Sequence, residues 1–118
     1  MDSITPAARD HYSARGCSIL DLHEDQDSTD LDKALATAAG RGCTHAAVIG
    51  NFCGGHGRLD HTFGIVQSLF LALAPAGRFE EIVVASDCAA MQLLLPGVHR
   101  VQAVPGCACG LVPVHGAA

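Results

Sequence analysis

The sequence predicts an α/β fold, a three-layer domain in which crossover helices flank a parallel sheet. Three observations predict it. Short apolar runs alternate with segments of helical period, in the order helix, strand, helix, strand, helix, strand, then further short strands. Parallel strands joined by crossover helices require that alternation. Two polar or glycine-rich turns each follow a strand and open a helix, where open α/β sheets collect ligands. The length of 118 residues, 49% of them hydrophobic, suits one core and is short for two.

The elements follow in chain order. Residues 6–15 read as a short helix, with Pro6 at a first helical position and Gly16 as the stop. Residues 17–22 form an apolar run read as a strand. Leu31, Ala34, Leu35 and Ala38 then recur at helical spacing, with Thr29 as N-cap and Asp32 in the first turn, where a negative charge suits the helix dipole. Gly40 and Gly42 end that helix. Residues 44–50 carry Ala46, Ala47, Val48 and Ile49 and read as a buried strand. After the glycine-rich turn, residues 59–74 read as a helix with Phe63, Val66, Phe70 and Leu73 on one side, and the Phe63/Phe70 stripe is expected in the core. Pro75 and Gly77 terminate it. Residues 81–85, 91–95 and 98–104 read as strands. The small-residue tail from Pro105 contains one more at 111–114. Helices near 30–40 and 59–74 thus flank parallel strands near 17–22, 44–50 and 80–86.

Composition narrows the function. Formal net charge is -5, and the 7 Lys and Arg residues are scattered. Nucleic-acid binding needs clustered cations for phosphate contacts, so it is not expected. The most apolar stretch, 65–76, is interrupted by Gln67 and Ser68 and is too short to span a bilayer. The N-terminus reads Met1-Asp2-Ser3, acidic and without an apolar segment behind it, so no export signal is expected and a cytoplasmic location is the default. In that compartment the six cysteines are expected as reduced thiols, with Cys17, Cys43 and Cys88 acting as small hydrophobes.

Two segments carry chemistry. The first, Asp25-Gln26-Asp27-Ser28-Thr29-Asp30, lies between a strand and a helix. Carboxylates there can hold Mg²⁺, which takes oxygen ligands and shares them with phosphates. The same acids also stabilise a helix start with no further role, and composition alone favours capping. The second, Gly54-Gly55-His56-Gly57-Arg58-Leu59-Asp60-His61, also opens a helix. Its glycines allow close backbone approach, helix-start N–H groups attract phosphate, and Arg58 offers a planar fork of donors. It lacks the Lys-Ser/Thr ending of a Walker loop, so an ordinary tight turn is the alternative. Cys53, His56, His61, Cys107 and Cys109 could suggest zinc, but their spacings fit no standard zinc motif.

Together the two segments resemble the thiamin pyrophosphokinase family. Asp25-Gln26-Asp27-Ser28-Thr29-Asp30 is similar to its Asp-Gln-Asp-x-Thr-Asp motif, and Gly57-Arg58-Leu59-Asp60-His61 to its Gly-Arg-x-Asp-His/Gln. Met1-Asp2-Ser3 matches the last three positions of an earlier Gly-Asp-x-Asp-Ser motif. Ser86-Asp87 and Leu93-Leu94-Leu95-Pro96-Gly97 resemble later strands of the family, and Cys109-Gly110-Leu111-Val112-Pro113-Val114 resembles its Cys-Gly-Leu-Ile-Pro-Val. The resemblance implies direct transfer of a pyrophosphoryl group from ATP to thiamin, with Mg²⁺ as cofactor and a homodimeric assembly. It implies metal and phosphate positioning by Asp2, Asp27 and Asp30, and a role for Asp60 in orienting or deprotonating the thiamin hydroxyl. Gln26, Thr29, Arg58 and His61 are the implied substrate contacts.

The departures shape the expectation. The first Gly-Asp of the early motif is absent, as are the preceding strands and most of the family's C-terminal β-sandwich; the chain has no Trp. Residues 1–104 are therefore expected to form an incomplete catalytic α/β domain, and 105–118 the start of a C-terminal β segment, in a shortened member of the family. The alternative is an inactive fragment of the same family that binds a nucleotide or a partner.

Overall fold

The computed structural model describes residues 4–50, 59–73 and 77–114. Its elements are α1 (Pro6–Ala14), α2 (Asp30–Gly40), β1 (His45–Ile49), α3 (Leu59–Leu73), β2 (Glu81–Ala85) and β3 (Ala90–Gln92). The sheet order is β1-β2-β3. β1 and β2 run parallel, with His45 opposite Glu81 and Ile49 opposite Ala85. β3 returns antiparallel, with Val84 opposite Met91. The hairpin turn is fixed by Ser86, whose amide donates to the Ala89 carbonyl at 2.8 Å while its hydroxyl accepts from the Ala89 amide at 3.2 Å.

The register decides which face is the core. Ala46 pairs with Ile82, and Val48 with Val84, so these side chains share one face of the sheet. On that face Ile82 and Val84 are fully buried and pack with Leu35 of α2, Ile65, Leu69 and Leu73 of α3, and Phe79. The other face carries His45, Ala47 and Ile49 of β1, all exposed, and a side-chain hydrogen bond from Gln92 to Glu81 at 2.9 Å. The described residues therefore form two layers rather than three. The reason lies in α1, which buries no residue. Its Pro-Ala-Ala-Arg-Asp-His-Tyr-Ser-Ala sequence offers only Tyr12, half exposed, as a large apolar group, so it has no face with which to cover the sheet.

Several expectations hold at residue resolution. α1 starts at Pro6 behind the Thr5 cap, and Gly16 takes the left-handed conformation (φ +77°) that ends it. α2 runs Asp30–Gly40, and Gly42 rather than Gly40 supplies the left-handed stop, with φ +85°. β1 and β2 lie where apolar runs place them, though β1 is buried on one face only.

Other expectations are corrected. Residues 17–22 form no strand: Leu20 and Leu22 stay 47% and 43% exposed. Asp21 turns the chain locally by accepting from the His23 amide and ring Nδ1 at 3.3 and 2.9 Å, a side-chain competitor to ladder pairing. The strand expected at 91–95 is reduced to β3. Residues 98–104 are irregular, because Val98, Val101 and Val104 recur every third residue and cannot share a face in a two-residue repeat. Residues 111–114 are also irregular: adjacent Leu111 and Val112 are both exposed, and Pro113 has no N–H to donate. Cys17, Cys43 and Cys88 are exposed in coil and turn positions rather than packed as small hydrophobes.

Candidate functional site

The acidic segment is built by its own hydrogen bonds. The Asp25 carboxylate accepts from the backbone amides of Asp27 and Ser28, each at 3.1 Å, closing a turn before α2. Thr29 caps the helix: its hydroxyl accepts from the Asp32 amide at 3.1 Å, and the Asp32 carboxylate accepts from the Thr29 amide at 3.0 Å. This reciprocal capping box satisfies helix-start donors that would otherwise lack partners. The Thr29 hydroxyl also donates to Asp32 at 2.6 Å. Gln26 donates its side-chain amide to the His23 carbonyl, and Lys33 its ammonium to the Asp25 carbonyl. Both capping and Mg²⁺ binding were open readings of this segment; capping falls to Thr29 and Asp32, while the Asp27 and Asp30 carboxylates remain exposed.

The electrostatics follow the bonds. Asp25 is held below the usual carboxylate range, chiefly by hydrogen bonding from Ser28, with Lys33 a smaller contributor. For Asp32, partial burial is the largest single influence and acts upward. Hydrogen bonds from the Ser68 and Thr29 hydroxyls and the Thr29 amide together outweigh it, and the carboxyl ends lower than usual. Asp21 is lowered by its hydrogen bonds to His23.

A groove of about 640 Å³ runs along α2, walled on its other side by the irregular segment before the helix. Asp25, Gln26 and Asp30 line one end, Lys33 its middle, and Arg41 and Cys43 the other end. Leu20 and Leu22, left unpaired by the missing strand, supply apolar wall.

The sequence-derived candidates fall into two groups. Gln26, Asp27, Thr29 and Asp30 share the loop and first residue of α2. Asp60 and His61 occupy the first turn of α3 and are exposed. The link between the groups is Ser68 of α3, 2% exposed, whose hydroxyl oxygen lies 3.5 Å from that of Thr29. Ser68 is two helical turns beyond Asp60, roughly 12 Å along the axis. Among the described residues no three His, Cys, Asp or Glu side chains gather to hold a metal ion. Asp2 and Arg58, with Cys53 and His56 of the zinc alternative, lie outside the described residues. Sequence reasoning missed Asp25 as the organiser of the acidic loop, although its position at the start of an Asp-x-x-Ser run is an Asx-turn signal. It also missed Ser68, read only as an interruption of an apolar stretch.

With this geometry in view, comparison with known proteins is decisive at the family level. The thiamin pyrophosphokinase catalytic domain matches residues 1–79, a span that includes both motifs. The chain belongs to the thiamin pyrophosphokinase family. Thiamine pyrophosphokinase 3 of Oryza sativa subsp. japonica is 33% identical over 127 residues, covering 97% of this chain and 43% of that protein. Thiamine pyrophosphokinase 1 of the same plant is 30% identical, and thiamine pyrophosphokinase 2 of Arabidopsis thaliana 31%, each over 97% of this chain. The chain thus spans less than half the length of these thiamin pyrophosphokinases. No solved structure matches it.

Proposed function

We propose that this chain carries the metal- and nucleotide-facing part of a thiamin pyrophosphokinase site. In the reaction the thiamin hydroxyl oxygen bonds to the β-phosphorus of ATP, the bond from that phosphorus to the α,β-bridging oxygen breaks, and AMP leaves with that oxygen. The observation that carries the reading is the division of labour in the acidic loop. Asp25, Thr29 and Asp32 hold the turn, which leaves the carboxylates of Asp27 and Asp30 exposed at a helix start. The donor set fits Mg²⁺, which takes oxygen ligands and often needs only one or two carboxylates beside substrate phosphates and water. Bound there, the ion would offset charge on the transferring group. Asp27 and Asp30, with Asp2, are the proposed ligands. Arg58 is the proposed phosphate contact and Asp60 the group that orients or deprotonates the hydroxyl; Gln26, Thr29 and His61 are proposed substrate contacts.

A second reading is favoured by the exposed outer face of β1, where Ile49 is 82% exposed, and by the irregular apolar tail. On this reading the chain alone binds Mg²⁺–nucleotide but turns over slowly, because contacts that position thiamin come from elsewhere. A cytoplasmic homodimer belongs to the proposal as well, supported by family resemblance. The test is an assay of the purified chain with ATP, Mg²⁺ and thiamin, alongside calorimetric titration with Mg²⁺–ATP. Nucleotide binding that Asp30→Asn weakens supports the reading. Thiamin diphosphate formation abolished by Asp60→Asn supports the full activity, and nucleotide binding without turnover supports the fragment. Absence of nucleotide binding overturns both.

A further inference from the structure

Ser68 is the buried polar side chain among the described residues, and it faces the cap of the acidic loop. A hydroxyl in an apolar core is costly unless it is bonded. The Ser68 hydroxyl has one proton, which reaches the Gly64 carbonyl one turn earlier at 3.1 Å or, rotated, turns toward the Thr29–Asp32 cap, where it helps hold the Asp32 carboxyl down. Its oxygen lies 3.5 Å from Thr29 Oγ1, at the outer limit of a hydrogen bond, across the α2–α3 packing. Thr29 is in turn tied to Asp32 through both its hydroxyl and its amide. The contact is the polar join between the element bearing Asp27 and Asp30 and the helix bearing Asp60.

We propose that Ser68 is a positioning residue: acting through the Thr29–Asp32 cap, it sets where the acidic loop stands against α3. The inference rests on the metal–nucleotide reading of that loop. Groups that share one substrate must be held to about 0.5 Å, and a loop closed only on itself can shift as a unit. A polar contact in the helix interface restrains that shift, whereas apolar packing around Leu35 and Leu69 tolerates small slides.

The test uses Ser68→Ala, Thr29→Ala and the double variant in the full chain, with amide exchange by NMR and calorimetric titration with Mg²⁺–ATP. Ser68→Ala is close to isosteric, so the fold should persist, and circular dichroism checks this. The expected result is exchange about tenfold faster at the Thr29 and Asp32 amides, with β2 amides unchanged, and Mg²⁺–ATP affinity weakened by a similar factor. In the Thr29→Ala background, Ser68→Ala should add less than it does alone, since its effect passes through the cap. Ser68→Thr, which keeps the hydroxyl, should restore protection. Unchanged exchange in Ser68→Ala overturns the proposal, as does faster exchange spread evenly over α3 and β2, or an equal effect with and without Thr29. Faster cap exchange with unaltered nucleotide affinity overturns it too. If the unmodified chain binds no Mg²⁺–ATP, the functional reading fails, while the exchange data still report whether Ser68 holds the loop.

Discussion

Thr29 and Asp32 show how a motif can serve structure and chemistry at once. Thr29→Ala removes the cap acceptor and should lower stability by about 1 kcal/mol, measured by urea denaturation. Asp32 adds a pH dependence whose sign is fixed. Its folded-state pKa is depressed, so its contribution is present above the unfolded value near 3.9 and is lost as pH falls through the lowered folded value. Asp32→Asn should therefore flatten the acid limb of the stability profile and leave an offset at neutral pH. The contribution is modest, because Asp32 is only partly buried. At this scale the positions of the acidic loop and its Thr29 cap were legible in the residue types and their spacing. Asp25 and Ser68 were less so, because their importance comes from the direction of a side-chain bond and from a packing partner 39 residues away. Composition carries neither.

Helix α3 shows where periodicity stops being informative. It is apolar around most of its circumference, so a 3.6-residue repeat can be drawn through more than one face. The stripe through Phe63 and Phe70 is one such repeat, yet Phe63 is 66% exposed and Leu59 70%, while Ile65, Leu69 and Leu73 are buried. The choice of face is made by the sheet, through Ile82 and Val84, which lie far away in sequence. Leu69→Ala should cost roughly 2–5 kcal/mol, whereas Phe63→Ala should change stability by no more than about 0.5 kcal/mol. Thermal or denaturant unfolding of the two variants, side by side, distinguishes these faces. The same physics explains the strands. β1 and β2 were legible because their apolar runs find each other, whereas 17–22 and 98–104 have strand-like composition without a partner ladder.

Among the described residues the molecule is one-sided, with its core between the helices and one face of the sheet. The other face of β1 presents Ala47 and Ile49 to solvent, and the backbone edge of β1 away from β2 has no neighbouring strand among the described residues. An open edge beside exposed apolar side chains favours association between chains. Ile49→Lys should therefore reduce self-association in sedimentation velocity without lowering the unfolding midpoint, since Ile49 contributes little to the core. Ligand linkage gives a complementary check: at Mg²⁺–ATP about 100-fold above its dissociation constant, stability should rise by about 2.7 kcal/mol. Asp27→Asn should shrink that gain. The parallel pairing of β1 with β2 also sets an order of assembly. The β2–β3 hairpin closes over a turn of four residues and can form within microseconds. β1 must wait for β2, because α3 lies between them in the chain. On the ribosome, α2 and β1 therefore emerge before α3 and β2, the elements they pack and pair with here, and the acidic loop meets Ser68 only when the middle of α3 has been synthesised. Until then, the aliphatic strand β1 is without the partner that pairs it in the folded chain.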